Sequence, residues 1–129
     1  MRRSALFAFI PLLAASRPAQ PAVPMSPAAQ HDVQCFMLYS IAVDTAVNAK
    51  DAKTQAAASL GVMYFVGKLA VEAPGLDLAS AVRQEADGMD ANPHVKEIGV
   101  ACDTEFAKRA EELRDIGRQS QTPASQSSS

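Results

Sequence analysis

Few residues in this chain could do chemistry: two cysteines, two histidines and some neighbouring carboxylates. His31 and Cys35 stand four residues apart, one helical turn, where an imidazole could draw the proton from a thiol. That chemistry needs a free thiolate. Cys35 and Cys102 make an even pair at long range, which in an oxidising compartment is expected to close a disulfide, and a bridged sulfur is no nucleophile. Their separation also excludes a CxxC redox motif. Neither His31 nor His94 has a partner ligand such as the second histidine of a zinc helix, so both are expected at the surface. The stretch "DGMDAN" lacks the oxygen spacing, central glycine and closing glutamate of a calcium loop. Glu111 with Glu112, and Asp87 with Asp90, read as solvated helix faces rather than paired acid and base. No serine sits in a nucleophile elbow, and the glycines of "GVMYFVG" fit no phosphate-binding loop. No catalytic residue, cofactor site or metal ligand is assigned, and an enzyme is not expected.

The elements that would position these residues are helical, with almost no alternation of period two. A first helix is expected from Asp32, as N-cap, to about Ala49. A second should run from about Asp51 to Ala73. A third should start at Asp77 and carry Leu78, Val82, Ala86 and Met89 on one stripe. Asn92 and Pro93 give the start signals of a fourth. Its apolar stripe is Val95, Ile98, Cys102, Phe106, Ala110, Leu113 and Ile116, which turns Cys102 toward the core. In the second helix no charge falls from Ala56 to Gly67, between Lys53 and Lys68. A membrane span needs roughly 20 apolar residues, so the segment reads as a core helix wrapped by its neighbours. Gly61 and Gly67 each weaken a helix by about 1 kcal/mol relative to alanine, a cost that close approach by another helix would offset. Phe36, Tyr39, Tyr64, Phe65 and Phe106 are candidates for an apolar-ligand or partner surface, although aromatic residues at helical spacing are more often plain core.

The ends of the chain set its address. Arg2 and Arg3 precede an apolar run from Leu6 to Ala15 and then small residues, the layout of a secretory signal peptide. Residues 1–22 are read as that leader, with cleavage after 16 or near 22, and the protein as periplasmic or secreted. Residues 23–31 read as a disordered Pro/Ala-rich arm, 32–118 as one helical domain, and 119–129 as a disordered Ser/Gln-rich tail. The full chain has 12 basic and 14 acidic residues. With Arg2, Arg3 and Arg17 removed, about nine basic would face the same acidic set. That balance argues against nucleic acid and anionic membranes as partners.

The segments "CFMLYSIAV", "LGVMYFVGKLAVEAPGLDLASAVRQEAD" and "CDTEFAKRAEELRDIG" resemble a group of short exported bacterial proteins with no assigned function. Cys35, Tyr64, Gly67, Leu69, Pro74, Gly75, Leu76 and Cys102 carry that resemblance over roughly 35–117. It implies a periplasmic setting in a Gram-negative envelope and brings no site. In outline only, the chain is similar to acid-stress chaperones of the HdeA type, which are small, helical and closed by one disulfide. It is also similar in outline to Tai-type immunity proteins, through a Tyr-x-x-Gly element matched by Tyr64 and Gly67. The expectation is a compact all-α bundle of about four helices, with Cys35–Cys102 joining first helix to last. Its expected role is that of a non-catalytic module binding another envelope protein, with no stable membrane insertion. A stress-conditional holdase is the alternative, ahead of a small enzyme or an apolar-ligand binder.

Overall fold

The structure, a computed structural model, describes residues 22–120. Nearly all of the expected leader and tail lie outside the described residues, and Gln119 and Ser120, expected in the disordered tail, instead close the last helix. Four helices follow in order: α1 (Pro27–Asn48), α2 (Ala52–Glu72), α3 (Leu78–Met89) and α4 (Val95–Ser120).

Helix α1 starts five residues before the expected Asp32, so residues 27–31 are helical rather than part of an arm. Ser26 is the cap, its Oγ accepting from Ala29 N at 3.1 Å, and Pro27 takes the first helical position. A proline there starts a helix well, because its missing N–H would have had no helical partner anyway. Asp32 is therefore no cap: it sits inside α1 and is fully buried. The other starts fall close to where the sequence puts them. Asp51 Oδ1 accepts from Thr54 N and Asp77 Oδ1 from Ser80 N, while Asn92 Oδ1 accepts from His94 N just before α4. Lys50 (φ 56°) and Gly75 (φ 86°) adopt left-handed backbone to turn the chain after α1 and α2. Gly75 does so without a Cβ penalty.

Helix α1 is the spine on which α2, α3 and α4 each pack. It runs antiparallel to α2, pairing Asp32 with Lys68 and Tyr39 with Gly61. It is antiparallel to α4 as well, pairing His31 with Glu105 and Cys35 with Cys102. One apolar cluster centres on Ala29, Val33, Leu69 and Ala81 where α3 crosses the start of α1. The other centres on Cys35, Phe65 and Cys102. Between α1 and α3, the carboxylate of buried Glu85 accepts from Gln30 Nε2 (2.9 Å) and Gln34 Nε2 (2.8 Å). The disulfide spans a sequence separation of 67 with Cα atoms 5.5 Å apart. It links the first and last helices as expected.

Two expectations about burial fail. Helix α2 is not wrapped: Leu60 (59%), Met63 (70%) and Val71 (79%) are largely exposed, because α1 covers one side and no element among the described residues covers the other. The stripe of α4 reaches the core only as far as Phe106, and Leu113 and Ile116 lie in solvent. The register of α4 on α1 explains this, since Glu105 already lies opposite His31, one turn from the start of α1.

The two glycines of α2 separate on the same ground. A Cβ at Gly61 would collide with the Tyr39 ring, whereas one at Gly67 would meet nothing within 4 Å. Gly61→Ala is expected to destabilise the fold by about 1–3 kcal/mol through overpacking. Gly67→Ala is expected to stabilise the single chain by up to about 1 kcal/mol. Urea unfolding of the two variants at low protein concentration checks the opposite signs.

Candidate functional site

The most concentrated chemistry lies beside the disulfide, where α1, α2 and α4 meet. Lys68 Nζ donates to Asp32 Oδ1 at 2.8 Å and to Glu105 Oε1 at 2.5 Å. Tyr64 OH donates to the same Glu105 oxygen at 3.0 Å, and His31 Nε2 lies 3.6 Å from Glu105 Oε2. Asp32 Oδ2 is buried and makes no hydrogen bond. One ammonium thus joins a carboxylate from each of two other helices. Burial alone would push the Lys68 ammonium down, but its two carboxylate partners outweigh that and hold it above the usual lysine range. Burial likewise opposes ionisation of Glu105, and the bonds from Lys68 and Tyr64 win, keeping its carboxyl below the ordinary value. Burial raises the Tyr39 and Tyr64 hydroxyls, helped by Asp103 and Glu105 respectively.

The ligand atoms of His31, Asp32 and Glu105 lie within 4.8 Å of one another, close enough to share a metal ion. Lys68 Nζ stands between the two carboxylates, so the cation bound there is the chain's own. His31 Nε2 also approaches Cys35 Sγ at 3.4 Å, the pair weighed for thiol chemistry. Cys35 is bridged to Cys102 and both are buried, so no thiolate is present. His31 departs from expectation: it lies in α1 and is only one-third exposed, whereas His94 is an exposed residue at 74%.

The five aromatic residues come together around the disulfide. Phe65 is fully buried. Tyr39 stacks on it at 5.8 Å and meets Phe106 edge-on at 5.6 Å, while Tyr64 meets Phe65 edge-on at 4.9 Å. Phe36 packs against the same cluster. These rings contact one another, and of the five only Tyr64 borders one of the larger open spaces. A cavity of about 540 Å³ separates α2 from α4, with Lys68, Lys108 and Arg109 facing Glu72, Glu105 and Glu112. A groove of about 320 Å³ between α1 and α2 is lined by Ser40, Val43, Asp44, Ser59, Val62 and Met63.

Met63 joins that groove to the outward face of α2. At 3.6 residues per turn, Ala56, Leu60, Met63, Gly67 and Ala70 fall on one line, flanked by Val66 and Val71. All seven are exposed and none is charged. Sequence reading found this segment but assigned it to the core. It missed Asp32, Lys68 and Glu105 as a group, because their separations of 36 and 37 residues leave no local pattern. The one available signal was Asp32 falling on the same helical face as Ala29 and Cys35.

Comparison with protein-family models, with curated proteins and with solved structures finds no match to this chain.

The cluster has a pH signature. A carboxyl held below its unfolded value contributes stability above about pH 4, and that contribution is lost as pH falls through the lowered folded value. Stability should therefore fall on acidification as Glu105 is protonated. Lys68→Met leaves Asp32 buried without its counter-ion and should cost about 3 kcal/mol at neutral pH. The gap between variant and parent should narrow toward pH 3. Thermal unfolding of both proteins across pH 7 to 3 measures it, and a constant gap would contradict this account.

Proposed function

We propose that this chain is an exported, non-catalytic protein-binding module of the cell envelope. The observation that carries the reading is the outward face of α2, where Leu60, Met63, Val66 and Val71 are 37–79% exposed along a helix whose other side is fixed to α1. Outward apolar residues that adjoin one another and a groove are the usual mark of an interaction surface. Two further points support the setting: the Arg-led apolar amino end, and a buried disulfide, which belongs to oxidising compartments.

A protein is a better occupant than a lipid surface. An interfacial helix carries lysines and arginines around its apolar face. Around this one, α2 has only Lys53 and Lys68, and Lys68 is engaged by Asp32 and Glu105. No helix among the described residues is long and apolar enough to cross a membrane.

The charged cluster favours a second reading, a holdase opened by acid. Protonating Glu105 would loosen the contact that ties α2 to α4, next to the aromatic cluster. Near-UV circular dichroism and ANS fluorescence from neutral to acid pH decide this reading. Unchanged signals eliminate it.

For the binding module, a photo-crosslinking residue is placed at Met63, and another at Arg83 on α3 as a control, in the full chain expressed in its own envelope. A discrete protein adduct at 63, absent at 83, is expected. Equal or absent adducts at both positions would refute the module.

A further inference from the structure

We infer that the occupant of the α2 face is a second copy of this chain, seated antiparallel to the first across a two-fold axis; this rests on the binding-module reading. Ala56, Leu60, Met63, Gly67 and Ala70 follow one another at intervals of four, three, four and three residues. That alternation is the seam of two helices packed side by side, with the side chains of each entering gaps on the other. Within the chain α2 uses its opposite side, through Ala58, Gly61, Phe65 and Leu69, to pack on α1. The seam is therefore spare.

Gly67 points to a close neighbour. Glycine weakens a helix interior, and Gly61 has its reason in the Tyr39 ring, but among the described residues nothing beyond the local helix backbone comes within 4 Å of the Cβ position at Gly67. A helix surface closing on Gly67 from outside would give it the same kind of reason.

The order of sizes along the seam selects the partner. The bulky pair, Leu60 and Met63, precedes the small pair, Gly67 and Ala70. An antiparallel second copy sets Leu60 against the other copy's Ala70 and Met63 against its Gly67, large into small at every step. A two-fold axis repeats each match, as an isologous interface requires. A parallel copy would instead oppose Met63 to Met63 and glycine to glycine, leaving crowding beside a gap.

The seven outward residues expose on the order of 500 Å² per copy, so a pair would bury up to about 1,000 Å², the bottom of the size range for a specific interface. The groove beside Met63 adds Val43 and Val62 to that margin.

Sedimentation equilibrium of the purified, oxidised chain at micromolar concentration tests the inference. The expected mass is that of two chains. Leu60→Glu and Gly67→Leu should each weaken self-association by about tenfold or more without changing far-UV circular dichroism, since both positions are exposed. Arg83→Glu should leave it unchanged. Gly67→Leu is decisive: it adds apolar surface, so a merely sticky face would associate more tightly, whereas a seam closing on Gly67 would be forced apart. A single-chain mass throughout, or tighter association of Gly67→Leu, overturns the inference. The crosslinker at Met63 separates the two readings. An adduct of twice the chain mass supports the second copy; an adduct with a different protein keeps the module and overturns the second copy; no adduct refutes both.

Discussion

Everything in this molecule is organised by what α1 can hold. Three helices lean on it, and they are tied there at adjacent turns of its first half: Asp32 takes the ammonium of α2, Cys35 takes the sulfur of α4, and Gln30 and Gln34 take the carboxylate of α3. The disulfide is the covalent member of this set. Closing so long a loop contributes about 4 kcal/mol on the chain-entropy account, a large share of the roughly 5–15 kcal/mol that holds a domain of ordinary stability together. The ionic member works differently. A buried ion pair returns little net stability compared with an apolar replacement, but losing one partner is costly. Asp32 thus specifies where α2 sits more than it strengthens the fold.

Concentrating the ties on one stretch of one helix has a geometric consequence. A chain of this length can cover only part of each helix, and here the cover is spent around Cys35, Phe65 and Val33. Helix α4 leaves the core about one turn after Phe106, and the far side of α2 meets no other element among the described residues. The exposed apolar residues are therefore the expected complement of a core built on a single spine. Their distribution is uneven, however. On α4, Leu113 and Ile116 stand among Glu111, Glu112, Arg114 and Asp115, an ordinary mixed surface. On α2 the outward line runs without a charge from Ala56 to Val71 except where Lys68 turns inward.

Much of the fold was legible because the signals were local. Asp51, Asp77 and Asn92 mark helix starts by side chain–backbone bonds within three residues, and Pro74 with Gly75 marks a stop; each needs no knowledge of the rest of the chain. The disulfide could be inferred from cysteine number and the expected compartment, and the inward placement of Cys102 from its stripe. Asp32 was misread because an aspartate near a helix start usually caps it, and only the distant Lys68 gives it another partner. Helix α2 was misread for a similar reason. A helix that is apolar on every side looks the same whether its neighbours come from its own chain or from another, so periodicity reports how much surface wants cover, not who supplies it. The charged cluster was invisible because its members lie on three helices whose relative placement only packing decides.

The two ends of this argument meet at Phe65 and Lys68. They occupy the inward side of α2, one fixed in the aromatic cluster and one in the ionic cluster, while Leu60, Met63 and Gly67 occupy the outward side of the same turns. A helix pinned on one face by a packed ring and two short ion contacts cannot easily twist to hide its other face. Surface that is held in place loses less freedom when it is covered, and binding through it is correspondingly less penalised. The residues that look most like chemistry, His31, Asp32, Lys68 and Glu105, would then serve the proposed binding indirectly: they fix the orientation of an apolar line that none of them touches from outside.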